Sequence, residues 1–341
     1  MTLTYRTKRR LQRAGLIGLI VLIVSLLVWF CWVVWLERYM VYSRDGASLD
    51  FEWNAPATGQ VAAPPSVDQN VSIYYNEGED AVNPTTELAK MTGYYIDIDT
   101  LERGLADAHE IVSELPSGTA VMIELKDAKG KFYYTSSLED ATPADTVDLA
   151  GVDSLIKEMT GDNLYAIALL PAFRDYNYGL NHTICGLAVP QGYLWADSEY
   201  CYWLNPAHAD TINWLKQIIE ELRSLGFEEV VFTDFRFPDT SDIVFDGNRS
   251  ETITNTAASL VSSCTTSTFA VSFKSSASFP LPAGRSRLYL EGVGAKDAAT
   301  VAEESGVADP TINLVYLVTS FDTRYDDYSV LRPIDIYENA E

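Results

Sequence analysis

Eight carboxylates stand where short apolar runs end. They are Asp97 and Asp99 after Gly93-Tyr94-Tyr95-Ile96, Glu124 and Asp127 after Ala120–Ile123, Asp175 after Leu164–Leu170, Asp234 after Glu229–Thr233, Glu291 after Arg287–Leu290, and Asp322 after Ile312–Val318. If those runs are strands whose C-terminal ends converge, the carboxyl groups gather on one face. A pair held close together there can divide acid, base and nucleophile roles between two side chains. The competing reading of any single one is a solvated rim carboxylate, because the chain has 48 Asp and Glu against 24 Lys and Arg.

Aromatic residues crowd the same regions: Tyr94, Tyr95, Phe173, Tyr176, Tyr178, Trp195, Tyr200, Tyr202 and Trp203. Such side chains stack on the apolar C–H faces of sugar rings and line carbohydrate clefts. The alternative is that they pack a long loop against its scaffold. Arg174, next to Asp175, either positions a sugar hydroxyl or forms an internal ion pair. Histidines (His109, His182, His208) are scattered and no Cys-x-x-Cys occurs, so no metal site and no cofactor are expected.

The elements that must carry these residues alternate in type. Strand patterns at 93–99, 120–125, 164–170, 229–233, 269–273, 287–290 and 312–318 are separated by helical spacing at 100–115, 152–159, 205–225, 252–263 and 296–305. Asn205-Pro206 offers a cap and a first-turn proline for the strongest helix, and Gly226 a stop. Wholly apolar strands interleaved with helices point to a parallel sheet covered on both faces. Seven strands, with an eighth expected near the C-terminus, favour a (β/α)8 TIM-like barrel over an open sheet. No GxGxxG or phosphate-binding loop supports a nucleotide fold. The stretch 275–284, with Pro280 and Pro282, is too short and broken for a helix, so the barrel is expected to be irregular there.

Ahead of that domain, Ala14 to Leu36 runs for 23 residues without a charge. At ~1.5 Å per residue such a helix crosses a hydrocarbon core of about 30 Å. Trp29, Trp32 and Trp35 suit one interface. Arg6, Lys8, Arg9, Arg10 and Arg13 place residues 1–13 in the cytoplasm as a basic tail, by the positive-inside rule. A cleaved signal peptide is the competing reading, but the run is long and ends without a small-x-small site. Residues 14–36 are thus expected as a transmembrane signal-anchor, 37–90 as an extracytoplasmic linker rich in Pro, Ala and Gly, and 91–335 as the barrel in the cell envelope. Net charge is −24, and near −29 once the five cations of the tail are set aside, which speaks against nucleic acid as a partner. Cys31 lies in the apolar run. Cys185 and Cys201 are spaced for a disulfide closing the aromatic loop, in an oxidising compartment, or else are small core residues like Cys264.

Three segments resemble a bacterial family, the putative glycoside hydrolase domain. Val121-Met122-Ile123-Glu124-Leu125-Lys126-Asp127 with Gly130 and Tyr133-Tyr134-Thr135-Ser136 is similar to its second-strand motif. Trp203-Leu204-Asn205-Pro206 resembles its Trp-Val-Asp-Pro. Gly226 through Asp234-Phe235-Arg236-Phe237-Pro238 resembles its Gly-Phe-Asp-Glu-Ile-Gln-Phe-Asp-Tyr-Ile-Arg-Phe-Pro. The resemblance covers about residues 90–335 and implies a TIM barrel related to α-amylase-type hydrolases, with a polysaccharide or other glycan as partner. It implies Asp234 as nucleophile or base, held ionised by Arg236, and Asp127 or Glu291 as proton donor, with Glu124 in the place of a second-strand Asp. Arg236, Trp195, Trp203, Tyr94 and Arg174 would bind substrate. The family's Asp falls on Thr233, so a strand bulge is expected to aim Asp234 alike. The fifth strand ends in Lys274, where amylase-like barrels carry the proton donor. A glycan-binding protein without turnover, or a cell-envelope interaction protein, is therefore the alternative.

Overall fold

The computed structural model describes residues 88–161 and 164–335, the backbone of Met40–Ser43 and Gly46–Leu49, and the single positions Ser25 and Trp29. Apart from those two positions, the apolar run 14–36 lies outside the described residues, as do the basic tail and most of the linker. Among the described residues no helix is long and apolar enough to cross a membrane. Met40–Ser43 (β1) and Gly46–Leu49 (β2) pair as an antiparallel hairpin in a unit of their own.

Eight parallel strands close into a barrel in sequence order. They are β3 (Thr92–Ile96), β4 (Ala120–Glu124), β7 (Tyr165–Pro171), β8 (Glu229–Thr233), β9 (Ala270–Lys274), β10 (Leu288–Glu291), β11 (Leu314–Leu317) and β12 (Ser329–Pro333). Between β4 and β7 a two-residue pair, β5 (Lys131–Phe132) and β6 (Thr142–Pro143), forms a small outlying sheet. Side chains alternate about the strands as the pleat requires. Met122, Ile167, Leu169, Val231, Tyr289, Val315 and Leu331 fill the barrel. Val121, Ala168, Phe232, Phe273, Leu290, Tyr316 and Val330 face the surrounding helices. Gly93 is required on β3, because a Cβ there would stand 1.8 Å from the Ala120 carbonyl oxygen of β4.

The helical layer follows the expected spacing with informative departures. The run 100–115 splits into α1 (Ile98–Arg103) and α2 (Leu105–Glu114), because Gly104 closes the first and opens the second. Leu149–Gly161 is α3 and Tyr176–Asn181 is α4. The strong helix α5 spans Ala209–Ser224, later than Asn205-Pro206 suggests. Asn205 turns its Oδ1 on the Ala207 amide (3.0 Å) and makes a turn, while His208 supplies the cap through Nδ1. Helix α6 is Arg249–Cys264, α7 Ala298–Glu304 and α8 Pro310–Asn313. No helix separates β9 from β10 among the described residues, so the barrel is irregular where Pro280 and Pro282 fall.

Below the apolar filling lies a buried charge pair. Arg287 contacts Glu229 and the Tyr165 hydroxyl (3.1 Å), and gives its other N–H groups to the carbonyls of Ile312 (3.2 Å) and Ala89 (2.7 Å). This ties β7, β8 and β10 to the chain segments beneath them. Removing one partner of a buried pair strands the other charge and costs about 3–5 kcal/mol. Arg287→Met should lower unfolding free energy in urea by that order, and the double variant Arg287→Met/Glu229→Gln should recover part of the loss. A single-variant loss below about 1 kcal/mol would contradict the pairing.

Candidate active site at the barrel mouth

Most of the eight strand-end carboxylates are committed to structure. Asp97 caps α1 through the Thr100 amide (2.9 Å), and exposed Asp99 pairs with Arg103 (3.0 Å). Asp127, one of the two expected proton donors, accepts the Lys131 amide (2.8 Å) and closes the turn before β5. Asp175 pairs with Lys126, and Asp322 with Arg324 (2.7 Å). Three others end barrel strands: Glu124, Asp234 and Glu291. Strand alternation puts Glu124 and Glu291 on the inner face, following Met122 and Tyr289. Glu124 lies toward α1, 3.4 Å from the Ile98 amide.

Asp234 and Glu291 belong to one charged cluster. Lys274, at the end of β9, sits 2.6 Å from the Glu291 carboxylate and also acts on Asp234. Arg236 stands 3.8 Å from Asp234, with its guanidinium 5.0 Å from the centre of the Trp203 ring. Arg174 bonds Asp197 (2.6 Å) and Glu199 (2.9 Å), and the Trp203 indole N–H donates to the same Asp197 (3.0 Å). The Arg174 and Trp203 bonds, with backbone amides of Glu199 and Cys201, outweigh burial and hold the Asp197 carboxyl down to about 2. Burial pushes Asp234 the other way, above its ordinary 3.8, and outweighs the opposing Arg174, Arg236 and Lys274. Arg236, 54% exposed, favours the ionised form of Asp234, but burial outweighs it.

No bulge aims Asp234. The ladder runs unbroken through Pro171↔Thr233 on one side and Phe232↔Phe273 on the other. Instead Asp234 adopts φ +49°, a left-handed conformation that Asp and Asn reach at less cost than most residues. The chain thus turns immediately after β8.

The aromatic residues mostly pack. Phe173, Tyr178 and Trp203 are buried, and Phe173 lies against Phe235 with ring centres 4.6 Å apart. Trp203 therefore positions Asp197 and Arg236 and offers no stacking face. Tyr94 packs toward the helical layer, and its neighbour Tyr95 points into the barrel. Trp195 is half-buried against the core, while Tyr200 is exposed at φ +59°. Arg174 takes the internal alternative, with Asp197 as its partner.

The expected Cys185–Cys201 bridge is absent, and both thiols are free. The antiparallel bridge Gly186↔Leu204 sets the loop's register, and Cys185 comes opposite Asn205, whose amide donates to its carbonyl (2.6 Å). Cys201 lies four residues along that strand, roughly 13 Å away at ~3.3 Å per residue. A disulfide needs Cα atoms within about 7 Å. Lys274 and Asp197 are the residues sequence reasoning missed. Lys274 did carry a signal, a charge ending a strand, whereas Asp197 sits in a loop with no periodicity to mark it.

Residues 109–273 match the family described as a putative glycosyl hydrolase domain, just under half of the chain. Over those residues the barrel is similar to that family's domain. Among solved structures, an α-galactosidase from Lactobacillus brevis is 9% identical with a TM-score of 0.52, over 74% of this chain and 38% of its own. A family 36 α-galactosidase from Geobacillus stearothermophilus, solved with stachyose, is 11% identical with a TM-score of 0.51, over 73% and 39%. A hypothetical protein from Ruminiclostridium thermocellum is 21% identical over 52% of this chain and 96% of its own, with a TM-score of 0.45. The chain thus spans about two fifths of the galactosidases, and the likeness is one of barrel fold. No curated protein matches the sequence.

The putative glycosyl hydrolase motifs have visible structural work. Lys126 and Asp175 form a fully buried ion pair (2.8 Å) joining the end of β4 to the loop after β7. Gly130, at φ +80°, keeps its turn open, since a Cβ there would meet Asp175 Oδ1 at 2.2 Å. Tyr134 and Ser136 both donate to Glu221 Oε2 of α5 (2.7 Å each), and the Ser137 hydroxyl reaches Oε1 (2.7 Å). These residues brace the mouth.

The raised Asp234 carboxyl has a pH signature. The fold binds that proton more tightly than the unfolded chain. Stability from this group is therefore present below 3.8 and lost as pH rises through the raised value. Asp234→Asn keeps the left-handed turn and cannot titrate. Urea unfolding from about pH 3.5 to about pH 7.5 should show wild type losing stability relative to Asp234→Asn as pH rises. A flat or opposite difference would show that burial does not govern this carboxyl.

Proposed function

We propose that this protein is a glycoside hydrolase-like barrel acting on cell-surface or environmental polysaccharide. One observation carries the reading: Asp234 and Glu291 end strands of one barrel mouth and share Lys274 as an electrostatic neighbour, yet stand in unlike surroundings. Glycoside cleavage uses two carboxyl groups whose environments assign them different roles. Asp234, with its raised affinity for a proton, suits the donor, which reverses the role the motif resemblance implies. Glu291 would act on the sugar or its water as base or nucleophile. The family match and the barrel likeness support a sugar-directed site without identifying the sugar.

The Lys274–Glu291 pair favours a second reading, in which the mouth binds glycan without cleaving it. Lys274 stands where amylase-like barrels carry an acid, and Thr233 stands where the family has its Asp. A screen of the chain against peptidoglycan, α-glucans and β-glucans separates the two. An enzyme should release reducing ends, and Asp234→Asn or Glu291→Gln should each lower turnover by about 100-fold or more, the usual worth of general acid–base catalysis. Binding without turnover in wild type would establish the lectin-like reading. Neither binding nor turnover on any glycan would overturn the sugar-directed assignment.

We also propose that residues 14–36 anchor the barrel outside the cytoplasm, on the apolar run and the five cations ahead of it. A phosphatase reporter that is active only outside the cytoplasm, fused after Glu341, should be active in whole cells. A silent phosphatase with an active cytoplasmic reporter at the same site would reverse the orientation.

A further inference from the structure

Apart from the cluster of Asp234, Lys274 and Glu291, the fold brings together three side chains that are separate in sequence. Cys185 ends the short turn Thr183–Cys185 in the loop after β7, while His208 and Asp210 lie at the start of α5. The ligand atoms of all three lie within 4.8 Å of one another. Cys185 Sγ is 3.6 Å from His208 Nδ1, and Asp210 Oδ2 is 3.9 Å from the same nitrogen. A proton-relay triad would put thiol and carboxylate on opposite ring nitrogens, as its orienting acid requires. Here both converge on Nδ1, which suits a single shared cation.

We propose that Cys185, His208 and Asp210 form a site for a divalent transition-metal ion of the zinc class, with a fourth position open to solvent. Sulfur, imidazole nitrogen and one carboxylate oxygen are a zinc-type donor set. With Zn–S of about 2.3 Å and Zn–N of about 2.0–2.1 Å at a tetrahedral angle, sulfur and nitrogen stand roughly 3.5 Å apart. The 3.6 Å separation already meets that. Asp210, 63% exposed, is able to swing in to close the remaining gap and leaves a path for the ion.

The Thr211 hydroxyl supplies a second observation. It is fully buried, no oxygen accepts from it, and it stands as a donor against the Cys185 thiol. A thiolate there would give it an acceptor. The positive end of the α5 dipole opposes a cation, and two anionic ligands offset it. His208 Nδ1 now accepts the Asp210 amide at 3.2 Å, a bond the ion would displace toward water at this exposed helix start. The ion would clamp the loop carrying Arg174, Asp197 and Trp203 to α5, where Cys185 has no disulfide partner.

The full-length chain, stripped with a chelator, is titrated with Co2+ and then Zn2+. One equivalent of Co2+ should produce a near-ultraviolet thiolate-to-cobalt charge-transfer band, and Zn2+ should displace it. Cys185→Ser should abolish the band, while Cys201→Ser and Cys264→Ser should leave it intact. His208→Gln and Asp210→Ala should each weaken Co2+ binding by more than about 10-fold, and they decide the matter if Cys185→Ser does not fold. No band at one equivalent, or equal affinity in His208→Gln and wild type, would overturn the site.

Discussion

The buried pair between Lys126 and Asp175 is the constraint on which the mouth depends. Taking two charges out of water costs several kcal/mol per ion, and attraction offsets this only where geometry and further hydrogen bonds are good. Here the ammonium and carboxylate meet at 2.8 Å, Asp175 also accepts the Tyr178 amide (2.9 Å), and Gly130 makes room for it. The amides of Tyr176 and Asn177 then donate to the carbonyls of Ala128 and Lys129. The turn after β4 and the loop after β7 are thereby one body. That loop carries Arg174 and, through Asp197, fixes Trp203 and indirectly Arg236.

A second level of control lies at Asp234. Straight ladder pairing delivers the chain to Thr233, and a single left-handed residue redirects it. Its carboxyl is desolvated among cations that do not bond it closely, so burial governs its proton affinity. Glu291, at the end of β10, meets Lys274 directly. Two carboxyl groups at the ends of β8 and β10, on either side of β9 and its Lys274, thus stand in unlike surroundings, the condition that lets chemically similar groups take unlike parts in one reaction.

The barrel was legible because its strands are apolar on both faces and its helices keep their period. The run Glu229–Thr233 was found with its observed bounds, and the broken stretch at 275–284 did lack a helix. Boundaries failed where local hydrogen bonding competes with the pattern, as at Asn205, which makes a turn while His208 caps. The site was only partly legible. Strand-end position identified Asp234 and Glu291, but Asp127 has the same signature and serves a turn. Side-chain type alone does not tell stacking platforms from packing: Trp203 is buried and Tyr94 packs against the core. The disulfide failed on register, which spacing along the sequence does not encode.

The central claim is that sugar is held between Asp234 and Glu291 at the mouth. The crystal structure of Asp234→Asn with an oligosaccharide chosen from the glycan screen tests it most directly. The account predicts a glycosidic oxygen within hydrogen-bond reach of the residue at 234 and the anomeric carbon facing Glu291. Sugar bound elsewhere on the barrel, with both side chains turned away from it, would contradict the account.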